Sequence, residues 1–380
     1  MQTWWKLIGL AIAVGLSGSI HAQTVVINGK TVPITALIQK GRPMVDAISL
    51  LKALGINATW DAKAKKLSIV TAKRDAPSGG VQLPGDWGQF GVSYKLGDAD
   101  PVVFSLLDAE FTVARVSFGD TTVAPAADEK LLVLHYSLQN PQPTDMYANW
   151  TTLHFVAVDA GDENREYAQC AALEDTKARL DLYLKPAQKV HLYTVIKAPA
   201  RGPVPKLIVQ PSDGKVVRYD LRNKVKPLPP PISDPTDASG SSAREEVPAP
   251  TGQFYPMGQL DVQFVGAAYT TRTLWENSPG EGKRFLLVTF KVRNGTPGEL
   301  SVNWSNFAIN LQTAADRTLE WSGFLLHDTL DEPVELKMRP GEESTVRTYI
   351  ELPLDDAGKM LSIQEKENSR TYLFDVIGAR

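Results

Sequence analysis

The chain has 380 residues, 43% hydrophobic and 22% charged, with a formal net charge of −3. That length accommodates two or three domains with cores of their own, and the near balance of charge excludes the basic footprint of a nucleic-acid or anionic-membrane partner. Cys170 is the single cysteine, so no intrachain disulfide can form and stability must come from packed cores.

The N-terminal stretch MQTWWKLIGLAIAVGLSGSIHAQ carries Lys6, an apolar run from Leu7 to about Leu16, and a small-residue site ending at Ala22. This is the pattern of a secretory signal, residues 1–22, with cleavage before Gln23. The apolar run is shorter than the ~20 residues a spanning helix needs, and no later stretch replaces it. An exported protein, periplasmic or at the cell surface, is expected. No cysteine stands at the cleavage site to take a lipid. Beyond it, 26 prolines and 28 glycines break short runs of Val, Thr, Leu and Tyr, which favours strands and turns over long helices.

The first mature module spans 24–72. VVINGKTVPI places strand formers on either side of Asn28-Gly29, a hairpin signal. In GRPMVDAISLLKALG, Val45, Ile48, Leu51 and Leu54 recur at helical spacing and Gly55 is a natural stop. ATWDAKAKKLSIV then reads as a turn and a closing strand, giving a small α+β unit. ING followed by KGRPMVDAISLLKALGINATWDAKAKKLSIV resembles the copper amine oxidase N-terminal-like, or stalk, domain of secreted bacterial proteins. The resemblance implies a spacer or docking unit. It does not extend to copper, because the mature module has no His or Cys to ligate it.

After a Gly/Pro-rich connection at 73–100, the chain repeats itself. LLVLHYSLQN, Leu131 to Asn140, returns as FLLVTFKVRN, Phe285 to Asn294. At a near-constant offset, Asn149-Trp150 matches Asn303-Trp304, and Leu173, Asp175 and Thr176 match Leu326, Asp328 and Thr329. Each copy, 101–222 and 252–380, shows short strands between turn signals, the pattern of a β-sandwich. Leu132, Leu134, Tyr136 and Leu138 are expected to face the core, with His135 and Ser137 outward. The copies resemble immunoglobulin-like domains of unknown function from exported bacterial proteins. Between them, 223–251 holds three consecutive prolines and a Ser/Gly stretch, which predicts an extended, semi-rigid spacer. The fold class expected is therefore mainly β: a small α+β module, then two tandem immunoglobulin-like sandwiches.

Catalytic patterns are missing from the sequence. His135, His154, His191 and His327 have no histidine at the equivalent repeat position and no metal-ligand spacing. No GxSxG occurs in the mature chain, and SPGEGKR lacks the spacing of a phosphate loop. Asp159, Asp162 and Asn164 in VDAGDENREY are calcium candidates by oxygen density alone, and the second copy has NLQTAADRT there. Among tryptophans, Trp150 and Trp304 read as buried plugs between sheets, whereas Trp87 and Trp275 lie in loop-like surroundings and are the candidates for ligand contact. The expectation is a non-enzymatic envelope protein that binds a protein or glycan and needs no cofactor; the alternative is a carbohydrate-binding or enzyme-accessory protein.

Overall fold

A computed structural model describes residues 23–27, 30–39, 42–46, 49–50, 57–61, 66–70, 85–366 and 369–379. The signal segment 1–22 lies outside the described residues. The chain divides into two compact units, Met1–Gln82 and Leu83–Arg380.

In the first unit, Gln23–Ile27 and Lys30–Gln39 form the hairpin, with Ile27 opposite Lys30 across Asn28-Gly29. Arg42–Val45 adds a third strand on Lys30–Gln39. Val45, read from spacing as part of a helix face, is thus the last residue of a strand. The helical start comes after it: Asp46 Oδ2 accepts from the backbone N of Ser49 at 2.8 Å and from its Oγ at 2.5 Å, and Leu50 N donates to Asp46 O. An aspartate in that position caps orphan amides and so fixes where a helix begins. Ile48, Leu51 and Leu54 lie outside the described residues. Asn57–Asp61 and Lys66–Val70 pair as a second hairpin where the sequence predicts a turn and a single closing strand.

The second unit holds two β-sandwiches of the same strand order. In the first, one sheet runs Ala172–Leu173, Lys189–Pro199, Glu129–Gln139, Val102–Thr112, Tyr94–Leu96, and the facing sheet runs Asn164–Glu166, Leu153–Val158, Lys206–Pro211, Val216–Asp220, Gly85–Gly88. In the second, the sheets are Leu326–His327, Glu343–Pro353, Lys283–Asn294, Leu260–Thr270, Tyr255–Met257 and Thr318–Glu320, Phe307–Thr313, Gly358–Glu365, Thr371–Asp375, Glu246–Pro248. Each also carries a two-stranded ribbon, Met146–Asn149 with Asp181–Leu184 and Leu300–Val302 with Leu336–Met338. Between the strands of the two sandwiches the pairings are antiparallel except for the first strand of each, Gly85–Gly88 and Glu246–Pro248, which lie parallel to their neighbours. Those strands come from the segments read as connection and spacer, because a short run with no internal periodicity takes its strand identity from the sheet edge that receives it.

Leu132, Leu134 and Leu138 are fully buried or nearly so and Tyr136 lies with them in the first core, as their alternation predicts. The opposite face is not left to solvent. The hairpin of Val116–Phe118 and Thr121–Val123 folds over it, burying Phe118 against Val133, Tyr193, Val195 and Cys170 in a satellite core. On that face Ser137 is buried and His135 half-buried.

The asparagine that ends each repeated strand has a structural role. Asn140 Nδ2 donates to Thr144 O (2.8 Å) and Leu184 O (2.9 Å) while its Oδ1 accepts from Gln142 N; Asn294 does the same with Gly298 O (2.7 Å), Met338 O (2.9 Å) and Thr296 N. Both are fully buried. Each side chain satisfies the loop and the ribbon at once, which a buried corner demands.

The stretch 223–251 is packed rather than extended. Leu228 and Ala243 enter the first core, Val247 and Ala249 the second, and Ile232 touches both. Buried Lys130 holds it down: Nζ donates to Ser241 O, and also to Gly202 O (2.5 Å) and Ala200 O (3.3 Å), with the Phe111 ring 4.5 Å away. Proline and serine content predicts a spacer because it reports local stiffness; the groove that receives the segment is made by residues far away in sequence.

Candidate binding surfaces of the paired sandwiches

The two sandwiches meet through arginines whose polar atoms are largely used. Arg115, between Val102–Thr112 and Val116–Phe118, has a side chain only 8% exposed. Its Nε donates to Gly295 O (2.8 Å), Nη1 to Gly258 O (3.0 Å) and Leu260 O (2.9 Å), and Nη2 to Asp261 Oδ1. Asp261 Oδ2 accepts from Arg293 Nε (2.9 Å) and Nη2 (2.7 Å), so one carboxylate is held by an arginine from each sandwich. A Cβ on Gly295 would overlap the Arg115 guanidinium, which is why that position has no side chain. On the other side of the junction, buried Arg370 donates from Nε to Arg244 O (2.7 Å) and from Nη2 to Glu129 O (2.5 Å). Such fixed, bidentate donors suit arginine better than lysine.

Between these clamps opens a cleft of about 640 Å³, lined from the first sandwich by Ala124, Pro125, Ala126 and Lys197 and from the second by residues including Gln259, Asn306, Glu365 and Lys366. An adjoining depression of about 490 Å³ shares Ala124 and Lys197 and reaches Glu166 and Tyr167. The lining is polar and of mixed charge: Lys197 pairs with Glu129 (3.0 Å), and Lys366 lies 4.9 Å from the Trp304 ring centroid. It offers hydrogen-bonding groups of both kinds and an aromatic rim.

Trp304 is 49% exposed, so it is not the buried plug its place in the repeat suggests. Asn303 explains the difference. Its Oδ1 accepts from Ser305 N (2.8 Å) and caps the short 3₁₀ turn Trp304–Asn306, turning the indole outward. Asn149 likewise accepts from Thr151 N (2.8 Å), and Trp150 rests half-buried on the first core. The recurring Asn-Trp thus marks a side-chain-capped turn.

Trp87 lies on the edge strand Gly85–Gly88 opposite Arg218 and is 58% exposed. Trp275 has a positive φ and meets Phe324 edge-on, with ring centroids 5.0 Å apart, leaving it 37% exposed. The two stand on different sandwiches. Also exposed are Tyr147 and Tyr183, a pair the sequence does not single out because only strand register brings them together.

The acidic turn does not assemble a calcium cage. Asp159 is buried, and its oxygens accept from Gly161 N (2.8 Å), Glu163 N (3.1 Å) and Arg165 Nε (2.8 Å). Burial alone would raise its carboxyl, but the hydrogen bonds from Glu163, Arg165 and Gly161 outweigh it and hold the group below the usual carboxylate range. Asp162 lies 3.9 Å from Lys206 Nζ, and Asn164 is exposed at the start of a strand. Among the described residues no three His, Cys, Asp or Glu side chains are arranged to hold a metal ion.

Two of the histidines, His135 and His154, find carboxylates. His135 Nδ1 donates to Glu174, with Glu110 3.6 Å from its Nε2, and His154 is 2.5 Å from Glu166. Cys170 is buried, and burial pushes its thiol up to about 12, far from the thiolate a nucleophile needs. Among the described residues no helix is long and apolar enough to cross a membrane.

No protein-family model matches the chain, and no curated protein does. Among solved structures, an uncharacterized β-sandwich protein of Clostridium difficile 630 is 17% identical over 34% of this chain and 92% of its own, with a TM-score of 0.26. MPT63, a secreted protein of Mycobacterium tuberculosis, is 15% identical over 34% of this chain and 97% of its own, with a TM-score of 0.27. The YjhA protein of Bacillus subtilis is 13% identical over 33% of this chain and 97% of its own, with a TM-score of 0.21. At these scores the similarities carry no functional argument; the β-sandwich architecture rests on the sheets of the chain itself.

Proposed function

We propose that the chain is an exported, non-enzymatic binding protein of the cell envelope, in which two immunoglobulin-like sandwiches are held as one block. The observation that carries this reading is the junction: Arg115 and Arg370 reach across it with their donors on backbone carbonyls and Asp261, and the connecting segment is buried in both cores. Spending buried cations on fixing one domain against another makes sense when a partner reads surfaces from both sandwiches. The signal-like segment supports export, and the first unit is read as a stalk.

The test uses the mature chain from Gln23 in solid-phase binding to fractionated envelope proteins and glycans, alongside hydrolase and oxidase substrate panels. Saturable binding that weakens in Arg115→Ala supports the reading. Turnover lost on substitution of a clustered polar residue such as His135 or Glu174 overturns it.

A carbohydrate-binding or accessory role is the second reading, favoured by exposed aromatic rings at several places, Trp87 and Trp304 among them. Glycan binding abolished by Trp87→Ala or Trp275→Ala would assign it to the tryptophans.

A further inference from the structure

The ribbons of the two sandwiches provide an internal comparison. Each pairs two short strands whose inner residues enter the core: Met146, Ala148 and Leu184 in the first, Val302 and Met338 in the second. At the central outward rung, the first ribbon sets Tyr147 opposite Tyr183 and the second sets Ser301 opposite Lys337. The second ribbon forms the same pairing with two polar side chains, so ribbon structure does not require the tyrosines. Yet they are 49% and 65% exposed, their ring centroids lie 5.2 Å apart, and their planes are tilted by 44°. Water-exposed aromatic area that the fold does not need points to a ligand.

We propose that Tyr147 and Tyr183 form a stacking platform for a neutral polysaccharide; this rests on the reading of the chain as a binding protein and names one of its ligands. Three observations select that ligand. The first is size. The exposed parts of the two side chains amount to roughly 250 Å², well short of the about 800 Å² that each partner contributes to a standard protein interface. A sugar unit matches the smaller patch, since the C–H face of a pyranose carries partial positive charge and packs on the negative face of an aromatic ring.

The second is the polar border. Tyr147 Oη donates to Asp181 on the same outward face, and Asn149 stands opposite Asp181 at the next outward rung. Asp181 holds the Tyr147 ring in place and offers its second oxygen to sugar hydroxyls, while the Asn149 oxygen is engaged by Thr151. The third is charge. At the other end Lys185 and Asp145 neutralise each other at 2.7 Å, which leaves Asp181 as the uncompensated charge of the ribbon's outer face and disfavours anionic sugars.

The experiment is affinity electrophoresis of the mature chain through gels containing dextran, laminarin or hydroxyethylcellulose, with alginate as the anionic polymer. The proposal expects retardation by at least one neutral polymer and a loss of roughly tenfold in apparent affinity in the Tyr147→Ser, Tyr183→Lys double variant. That variant copies the working rung of the second ribbon, so its thermal unfolding should match the parent. Tyr183→Phe keeps the ring and should keep binding. Retardation by alginate alone, by no neutral polymer, or undiminished in the double variant overturns the proposal. If no neutral polymer binds while an envelope protein is still bound saturably, the platform is refuted and the wider reading survives. Detection of enzymatic turnover would instead refute that wider reading.

Discussion

Arg115→Ala should weaken the junction between the sandwiches. The substitution removes donors from the carbonyls of Gly258, Leu260 and Gly295 and from Asp261 Oδ1. A hydrogen bond to a charged group contributes about 1.5–3 kcal/mol, and losing one partner of a buried ion pair costs about 3–5 kcal/mol. Two features pull the total to the lower end, near 3 kcal/mol. Asp261 keeps both bonds from Arg293, and the site borders an open cleft of about 670 Å³ from which water can reach the exposed carbonyls. The assay is urea unfolding followed separately by probes in each sandwich. The parent should give coincident transitions, and the variant should separate them, with the second sandwich melting independently of the first. A double-mutant cycle with Asp261→Asn should return a coupling above about 1 kcal/mol. Coincident transitions with stability unchanged within about 0.5 kcal/mol would refute the reasoning and place Arg115 among ion pairs of no net consequence.

Other outcomes follow from the same structure. Gly295→Ala should reproduce the Arg115→Ala phenotype, since the new Cβ occupies the guanidinium position; an unchanged junction would mean the arginine has another seat. Asn140→Ala and Asn294→Ala should each cost about 1–3 kcal/mol, because each leaves one buried ribbon carbonyl, Leu184 O or Met338 O, without this partner and releases the loop carbonyl and amide that the side chain also holds; urea midpoints check this. Burial lowers Lys130 from 10.5 to about 8, so between those values the unfolded chain binds more protons than the folded one. Stability from this group should therefore rise with pH, by at most about 3 kcal/mol across the window. Lys130→Met should remove that increment when unfolding is compared at pH 7.5 and 9.5. Cys170 should resist alkylation at pH 8 until the chain unfolds.

The strand register of the sandwich cores was legible because hydrophobic alternation is local and period two: Leu132, Leu134, Tyr136 and Leu138 declare one face without help from the rest of the chain. The recurrence of Asn140 at Asn294 was visible too, though not its reason, which lies in carbonyls contributed by the ribbon. Legibility failed where an element is defined by what receives it. Glu246–Pro248 and Gly85–Gly88 are strands only because a sheet edge accepts them, and 223–251 is buried because Lys130 and two cores meet it.

The candidate surfaces were hidden for the same reason. Nothing near Arg115 in sequence announces that Gly258, Asp261 and Gly295 will surround it, and Tyr147 and Tyr183 become neighbours only through ribbon pairing. Sequence alone determined the β class, the paired core strands and the expectation of export, since these rest on composition and short-range pattern. Tertiary structure decided which aromatics face water and which cations bridge the sandwiches, because exposure and contact depend on what packs against a residue from far along the chain.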